Sequence, residues 1–289
     1  MITQREKRSF TKSLASRMGW TRASSYLASA FLLIIFLIIY IWWPLAEEYL
    51  ALIPWDGEWW RYIDWLLVGI FLAMSLLIMA GADIRADALI VFVGFVGGLV
   101  IESWGTQTEI WTYYTAERPP LWIIPAWPIA SLSIIRLVRF LDRFTFYALR
   151  FTPNMKRKTK NVKSVSTVLY WLIFPAFYTL MLSFVWLTVD KSLTIMALIL
   201  VGFLILTPTD HRVAVLTFIA GSSLGYFLER WGTTRLCWTY YTLETPPLFA
   251  VLAHGMAAVA FWRTVLVLDS RLLHTGRLTA EIAENAEQL

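Results

Sequence analysis

The chain has 289 residues, 58% of them hydrophobic and only 16% charged, with a net charge of +5 and a mean hydropathy of +0.61. A soluble domain carries roughly a quarter charged residues, so these proportions exclude an ordinary soluble enzyme and point to an all-α polytopic membrane helix bundle. One cysteine, Cys237, excludes an internal disulfide and a cysteine-built zinc site.

Taken in order, residues 1–22 form a basic segment with Arg5, Lys7, Arg8, Lys12, Arg17 and Arg22. The first apolar stretch is too long for a signal-peptide core and lacks a clear cleavage site, so it reads as a retained span. Stretches of about 20 apolar residues suffice to cross ~30 Å of hydrocarbon. The predicted spans are Ser25–Pro44, Trp65–Ala80, Ala88–Trp104, Leu121–Leu141, Val168–Val189, Leu193–Leu206, Val213–Trp231 and Leu248–Leu268. Residues 23–142 then form a first four-helix repeat and 168–269 a second. Between them, 143–167 is a basic linker in which Arg143, Arg150, Lys156, Arg157, Lys158, Lys160 and Lys163 alternate with Phe144, Phe146, Tyr147 and Phe151. That mixture can contact nucleic acid, but between two spans it reads as a segment on an anionic membrane surface, with no nucleic-acid partner. Residues 270–289 form a polar tail.

With the N-terminus inside, the inner segments hold 20 Lys and Arg and the outer ones 5 of the 25. The positive-inside rule therefore predicts a multi-pass protein of the plasma (inner) membrane with both termini cytoplasmic and the loops 105–120 and 230–247 facing outward. The 16 Trp, many beside apolar stretches, fit the headgroup level.

Residues 83–142 align with 210–269 at a constant offset of 127 without a gap, with 24 identities in 60 positions. The densest match runs from Glu102 through Trp104, Trp111, Tyr113 and Tyr114 to Leu121, and again from Glu229 through Trp231, Trp238, Tyr240 and Tyr241 to Leu248. Four spans per repeat is an even number, so the halves share an orientation and an axis near the membrane normal. Gly94, Gly98 and Glu102 recur four apart, as do Gly221, Gly225 and Glu229, so each glutamate shares a helix face with glycines that admit a close neighbour. Arg136 lies 15 residues past Leu121, about 22 Å along a helix, at the level of Asp83. Asp83–Arg136 and Asp210–Arg263 are therefore expected ion pairs, because charges at this depth seek partners. Pro125 and Pro128 are expected to kink the fourth span.

The chemistry-bearing groups are Glu102 and Glu229 as proton donors, with His254 (at the position of Trp127 in the first copy) able to partner Glu229. Carboxyls in apolar surroundings hold protons more readily. The aromatic side chains Trp104, Trp111, Tyr113, Tyr114, Trp231, Trp238, Tyr240 and Tyr241 would line an apolar ligand and stabilise a cation on it. The competing reading is an interfacial aromatic belt in which the glutamates only hold the loops. Three scattered histidines make no metal site, and no phosphate loop or cofactor motif is present, so no cofactor is expected.

The stretch Glu102-x8-Trp111-x-Tyr113…Pro120-Leu121, about 20 residues in each half, resembles small integral-membrane carotenoid-biosynthesis proteins: the heterodimeric-type lycopene cyclases and the carotenoid hydratases. The resemblance implies non-redox addition of a proton to an isoprenoid double bond. The cyclases follow Pro-Leu with paired glutamates, whereas Trp122 and Phe249 stand first there in this chain. The expected function is to bind or process an apolar isoprenoid-type lipid by proton transfer near the extracytoplasmic face. A transporter or non-catalytic membrane component built on the repeat interface is the alternative.

Overall fold

A computed structural model describes residues 19–150 and 155–272. The basic N-terminal segment up to residue 18 and the tail from 273, including His274, lie outside the described residues. Among the described residues the structure is all-α apart from two short strands, and the chain divides into two compact units, one ending at Ala88 and one beginning at Leu89.

The first unit contains α1 (Arg22–Ile41), α2 (Trp43–Ala51) and α3 (Trp65–Met79), with a 3-10 turn at Trp59–Arg61. Thr21 starts α1 with a capping box: its hydroxyl accepts from the Ser24 N–H, and the Ser24 hydroxyl accepts from the Thr21 N–H. The same two side chains tie α1 to the end of α3, since Ser24 Oγ donates to the Met79 carbonyl at 2.6 Å and Thr21 Oγ1 to that of Ala82 at 2.9 Å. Asp64 caps α3 through the Leu67 N–H. Farther along, Phe31 stacks on Phe71 at 5.2 Å.

Then follow α4 (Ile84–Gln107), β1 (Trp111–Tyr113), α5 (Ala126–Arg150), α6 (Met155–Phe184), α7 (Ser192–Leu206), α8 (His211–Thr234), β2 (Trp238–Tyr240) and α9 (Leu248–Leu272). In the second unit α8 is the central helix, packed against α9, α5 and α6. Its small residues Ala214, Ala220, Gly221, Gly225 and Gly232 are all buried, which lets neighbouring backbones come near. The apolar core gathers Tyr170, Phe174, Phe177 and Phe184 of α6 around Phe218 and Phe249. Large apolar side chains on the other faces stay exposed, among them Met196, Ile199 and Phe203 of α7 and Leu33, Phe36 and Tyr40 of α1. Exposed apolar surface on this scale suits hydrocarbon rather than water.

Among the described residues, four helices are long and apolar enough to cross a bilayer: Arg22–Ile41, Ile84–Gln107, Val162–Phe184 and Leu248–Asp269. This is a membrane protein by composition and helix length. The apolar helices α3 and α7 have 15 residues each, about 22 Å of helix.

Several expectations need correction. The expected kink at Pro125 and Pro128 is absent from the interior of α5, because the helix begins at Ala126 and places Pro128 in its first turn. Proline lacks an N–H and has a fixed φ, so the first turn tolerates it where the interior does not. The prolines instead delay the helix: α9 starts at Leu248, the counterpart of Leu121, whereas residues 121–125 form turns. In the linker 143–167, residues 143–150 continue α5 and 155–167 belong to α6, so its described parts are helical.

Asp210 and Arg263 do not pair with each other as expected. The Asp210 carboxylate caps α8 by accepting from the Val213 N–H, and Arg263 donates to the Leu204 carbonyl and Thr207 hydroxyl at the end of α7. Asp210 and Arg263 thus serve helix termini, where unpaired backbone groups need partners. Asp83 accepts from the N–H groups of Arg85 and Ala86 at the start of α4. An ion pair links the two copies, from Arg212 to Asp142 at 2.7 Å.

Candidate functional site

Glu102 and Glu229 lie in the last turns of α4 and α8, and each is only 4% exposed. Their helix faces are set by the glycines. A β-carbon at Gly98 would strike the Trp127 ring, and one at Gly225 would meet the His254 side chain at 2.5 Å from its Cβ. The expected close approach is therefore made by α5 on α4 and by α9 on α8. One turn past each glutamate, Thr106 and Thr233 donate to the Glu102 and Glu229 carbonyls, both at 2.6 Å. Next, the N–H groups of Ile110 and Cys237 return to the carbonyls of Gly105 and Gly232. Glu109, Ala116, Leu236 and Leu243 all hold positive φ between 56° and 62°, which is uncommon for residues with a β-carbon. The bends at Glu109 and Leu236 turn the chain back so that the strand following each helix lies over its glutamate, and those at Ala116 and Leu243 follow the strands.

The strands pair with each other. β1 and β2 form an antiparallel ribbon with Trp111 opposite Tyr240, Thr112 opposite Thr239 and Tyr113 opposite Trp238. Two backbone bonds extend it, from the Tyr114 N–H to the Cys237 carbonyl and from the Tyr241 N–H to the Ile110 carbonyl. Alternation along a strand sends Trp111, Tyr113, Trp238 and Tyr240 inward.

Each carboxyl group has three hydrogen-bond partners. Glu102 Oε2 accepts from the Trp111 indole at 3.1 Å and the Tyr113 hydroxyl at 2.9 Å, while Oε1 accepts from the Trp127 indole at 3.0 Å. Glu229 Oε2 accepts from the Trp238 indole at 2.9 Å. Its Oε1 accepts from the Tyr240 hydroxyl at 3.0 Å and meets His254 Nε2 at 2.9 Å. Ring contacts join the two sets: Trp111 to Tyr240 at 5.9 Å, Tyr113 to Trp238 at 5.7 Å, and Trp127 stacked on His254 at 5.5 Å with 19° between planes. Six rings thus close around two carboxylates in a single cluster, whereas the sequence suggested two separate loops, each over its own glutamate.

Burial pushes the Tyr113 and Tyr240 hydroxyls well above the ordinary phenol value, and the adjacent carboxylates add to it. Both phenols stay neutral and keep donating, which suits them as permanent partners of a carboxylate.

The other sequence candidates lie outside this inner set. Trp104 and Trp231 stand against the indoles of Trp111 and Trp238 at 5.9 and 6.0 Å, and the Trp104 N–H donates to Thr194. Tyr114 and Tyr241 point away from the carboxylates and are 54% and 39% exposed; Tyr241 donates to the Phe184 carbonyl. Trp127 belongs to the cluster although sequence reasoning treated it as the replaceable counterpart of His254. The signal was available: position 127 aligns with 254, so whatever reaches Glu229 from α9 has an equivalent reaching Glu102 from α5.

Chemically, the cluster offers a carboxylate–imidazole pair able to hold or pass a proton, beside a carboxylate surrounded only by neutral donors. Comparison with models of known protein families, with curated proteins and with solved structures finds no match.

Proposed function

We propose that this chain is an eight-span, multi-pass protein of the plasma membrane, built from two parallel four-helix repeats, that binds or processes an apolar isoprenoid-type lipid by proton transfer near the extracytoplasmic face. The observation that carries the chemistry is the 2.9 Å contact between His254 Nε2 and Glu229 Oε1 within a cluster of aromatic rings. A proton moved along this pair could be delivered to a double bond, and the rings could stabilise the resulting carbocation. The ungapped alignment of 83–142 with 210–269 supports the repeat. So do the matched positive-φ residues and the ribbon centred on Thr112 and Thr239. The distribution of Lys and Arg supports cytoplasmic termini.

The test is expression in a bacterial host that accumulates an acyclic carotenoid, followed by chromatography of the pigments. A cyclised isomer or a product gaining one water supports the reading, and Glu229→Gln must abolish it in protein that still inserts. Unchanged pigment at full expression of the native chain counts against it. Reporter fusions after Arg157 and within 105–118 test the topology, and an outward residue 157 overturns it.

A second reading has its own observation: all three groups around Glu102 donate to it, so the cluster also works as a closed clasp that fastens the ribbon to α4 and α8. On that reading the protein is a non-catalytic membrane component or a transporter framework, and Glu229→Gln would lower stability without changing any pigment.

A further inference from the structure

We propose that Trp127 is a positioning residue for the Glu229–His254 pair, its ring holding the imidazole against Glu229 by stacking. The proposal deepens the proton-transfer reading above and rests on it for its use, although the geometry can be tested without a substrate.

Trp127 makes two contacts at once. Its N–H donates to Glu102 Oε1 at 3.0 Å, and its face lies nearly parallel to the His254 ring, 5.5 Å away. The indole is held from other sides as well. Its Cβ and ring seat on Gly98, where any side chain would collide with it, and Phe261 meets it at 5.9 Å and 66°. His254 is seated in the same way, with its Cβ on Gly225. Rotation of the imidazole about its last torsion would carry Nε2 away from Glu229. Two rings stacked at 19° oppose that rotation, because turning either one opens the contact.

The stack also suits the charge. When the proton lies on His254 the imidazole is a cation, and an indole face is the most favourable aromatic surface for one. The ionisable groups gathered here are Glu229 from α8, Glu102 from α4 through Trp127, Tyr113 from β1 and Tyr240 from β2. An immobile ring between an imidazolium and Glu102 keeps that cation in place without letting the second carboxylate take its proton directly.

The experiment is nitrogen-15 histidine labelling of the full chain in lipid nanodiscs, reading the hydrogen-bonded Nε2 proton of His254, assigned by its loss in His254→Gln. Trp127→Phe keeps a ring but has no N–H, and must retain the resonance. Trp127→Leu removes the ring, and exchange of that proton with water should accelerate roughly threefold to tenfold. Unchanged exchange in Trp127→Leu overturns the proposal. Should Trp127→Leu fail to fold, Trp127→Phe decides alone: loss of the resonance there shows that the indole hydrogen bond, not the stack, positions His254, and the proposal fails. A protein that converts no isoprenoid yet gives the expected exchange pattern retains this inference while losing the catalytic reading.

Discussion

Thr112 lies directly opposite Thr239 at the centre of the β1–β2 ribbon, and the two are counterparts under the 127-residue offset. A ribbon centred on equivalent residues has twofold character, and the ring contacts across it are matched. Trp111 meets Tyr240 as Trp238 meets Tyr113. Neither half can complete its aromatic cover alone, since each glutamate's own Trp and Tyr are packed against those of the other copy.

This exchange predicts unequal costs for two isosteric changes. In Glu102→Gln the amide must face either the Trp127 indole or the Trp111–Tyr113 pair. Indoles only donate, so one donor is left opposing another. In Glu229→Gln the new amide can sit at the Oε1 position, donating to Tyr240 and to His254 Nε2 once the histidine carries its proton on Nδ1. Glu102→Gln should therefore lower stability by about 1–3 kcal/mol, and Glu229→Gln by clearly less. Thermal unfolding in one detergent would check the order. Turnover should show the reverse order, with Glu229→Gln the more damaging.

The two buried phenols predict a titration. Tyr113 and Tyr240 are held above the ordinary value of about 10, chiefly by burial. Their neutral forms are favoured in the fold, so the stability they add is present below pH ~10 and is lost as pH rises through their folded values. Absorbance at alkaline pH should show these two of the 12 tyrosines ionising last, together with unfolding. Tyr113→Phe and Tyr240→Phe should each remove signal only from that late phase.

Gly105 and Gly232 lie beneath the indoles of Trp111 and Trp238, where an added β-carbon would overlap the rings. Gly105→Ala and Gly232→Ala should each cost about 1–3 kcal/mol, the usual range for overpacking. A matching red shift of tryptophan emission should report the displaced indole. If either variant keeps native stability and emission, the rings are not seated as described.

The Arg212–Asp142 pair is mostly shielded, with side chains 20% and 26% exposed. Arg212→Gln and Asp142→Asn should each destabilise, and the double variant should cost less than their sum by about 1 kcal/mol. Strict additivity would show that the pair contributes no coupling.

Much of this molecule was legible in its sequence. The helices α3, α7 and α9 begin at or within one residue of the expected spans, because a long apolar run bounded by polar residues leaves the chain few other choices. The four-residue glycine spacing located the packed faces, since helical periodicity alone places Gly94, Gly98 and Glu102 in one row. The sequence also offered His254, a histidine inside the last span, as a partner for Glu229, and the two meet at 2.9 Å.

Tertiary structure decided the rest. Three-residue strands such as Trp111–Tyr113 carry no periodic signal, and the ribbon exists only because a second copy stands beside the first to accept its backbone hydrogen bonds. Charge pairing was equally beyond reach. Asp210 had a choice between Arg263 and the open N–H groups of α8, and the nearer backbone donors prevailed because a helix terminus cannot leave them unpaired. Which aromatic rings surround a carboxylate depends on which chains cross above it, and sequence spacing does not encode that crossing.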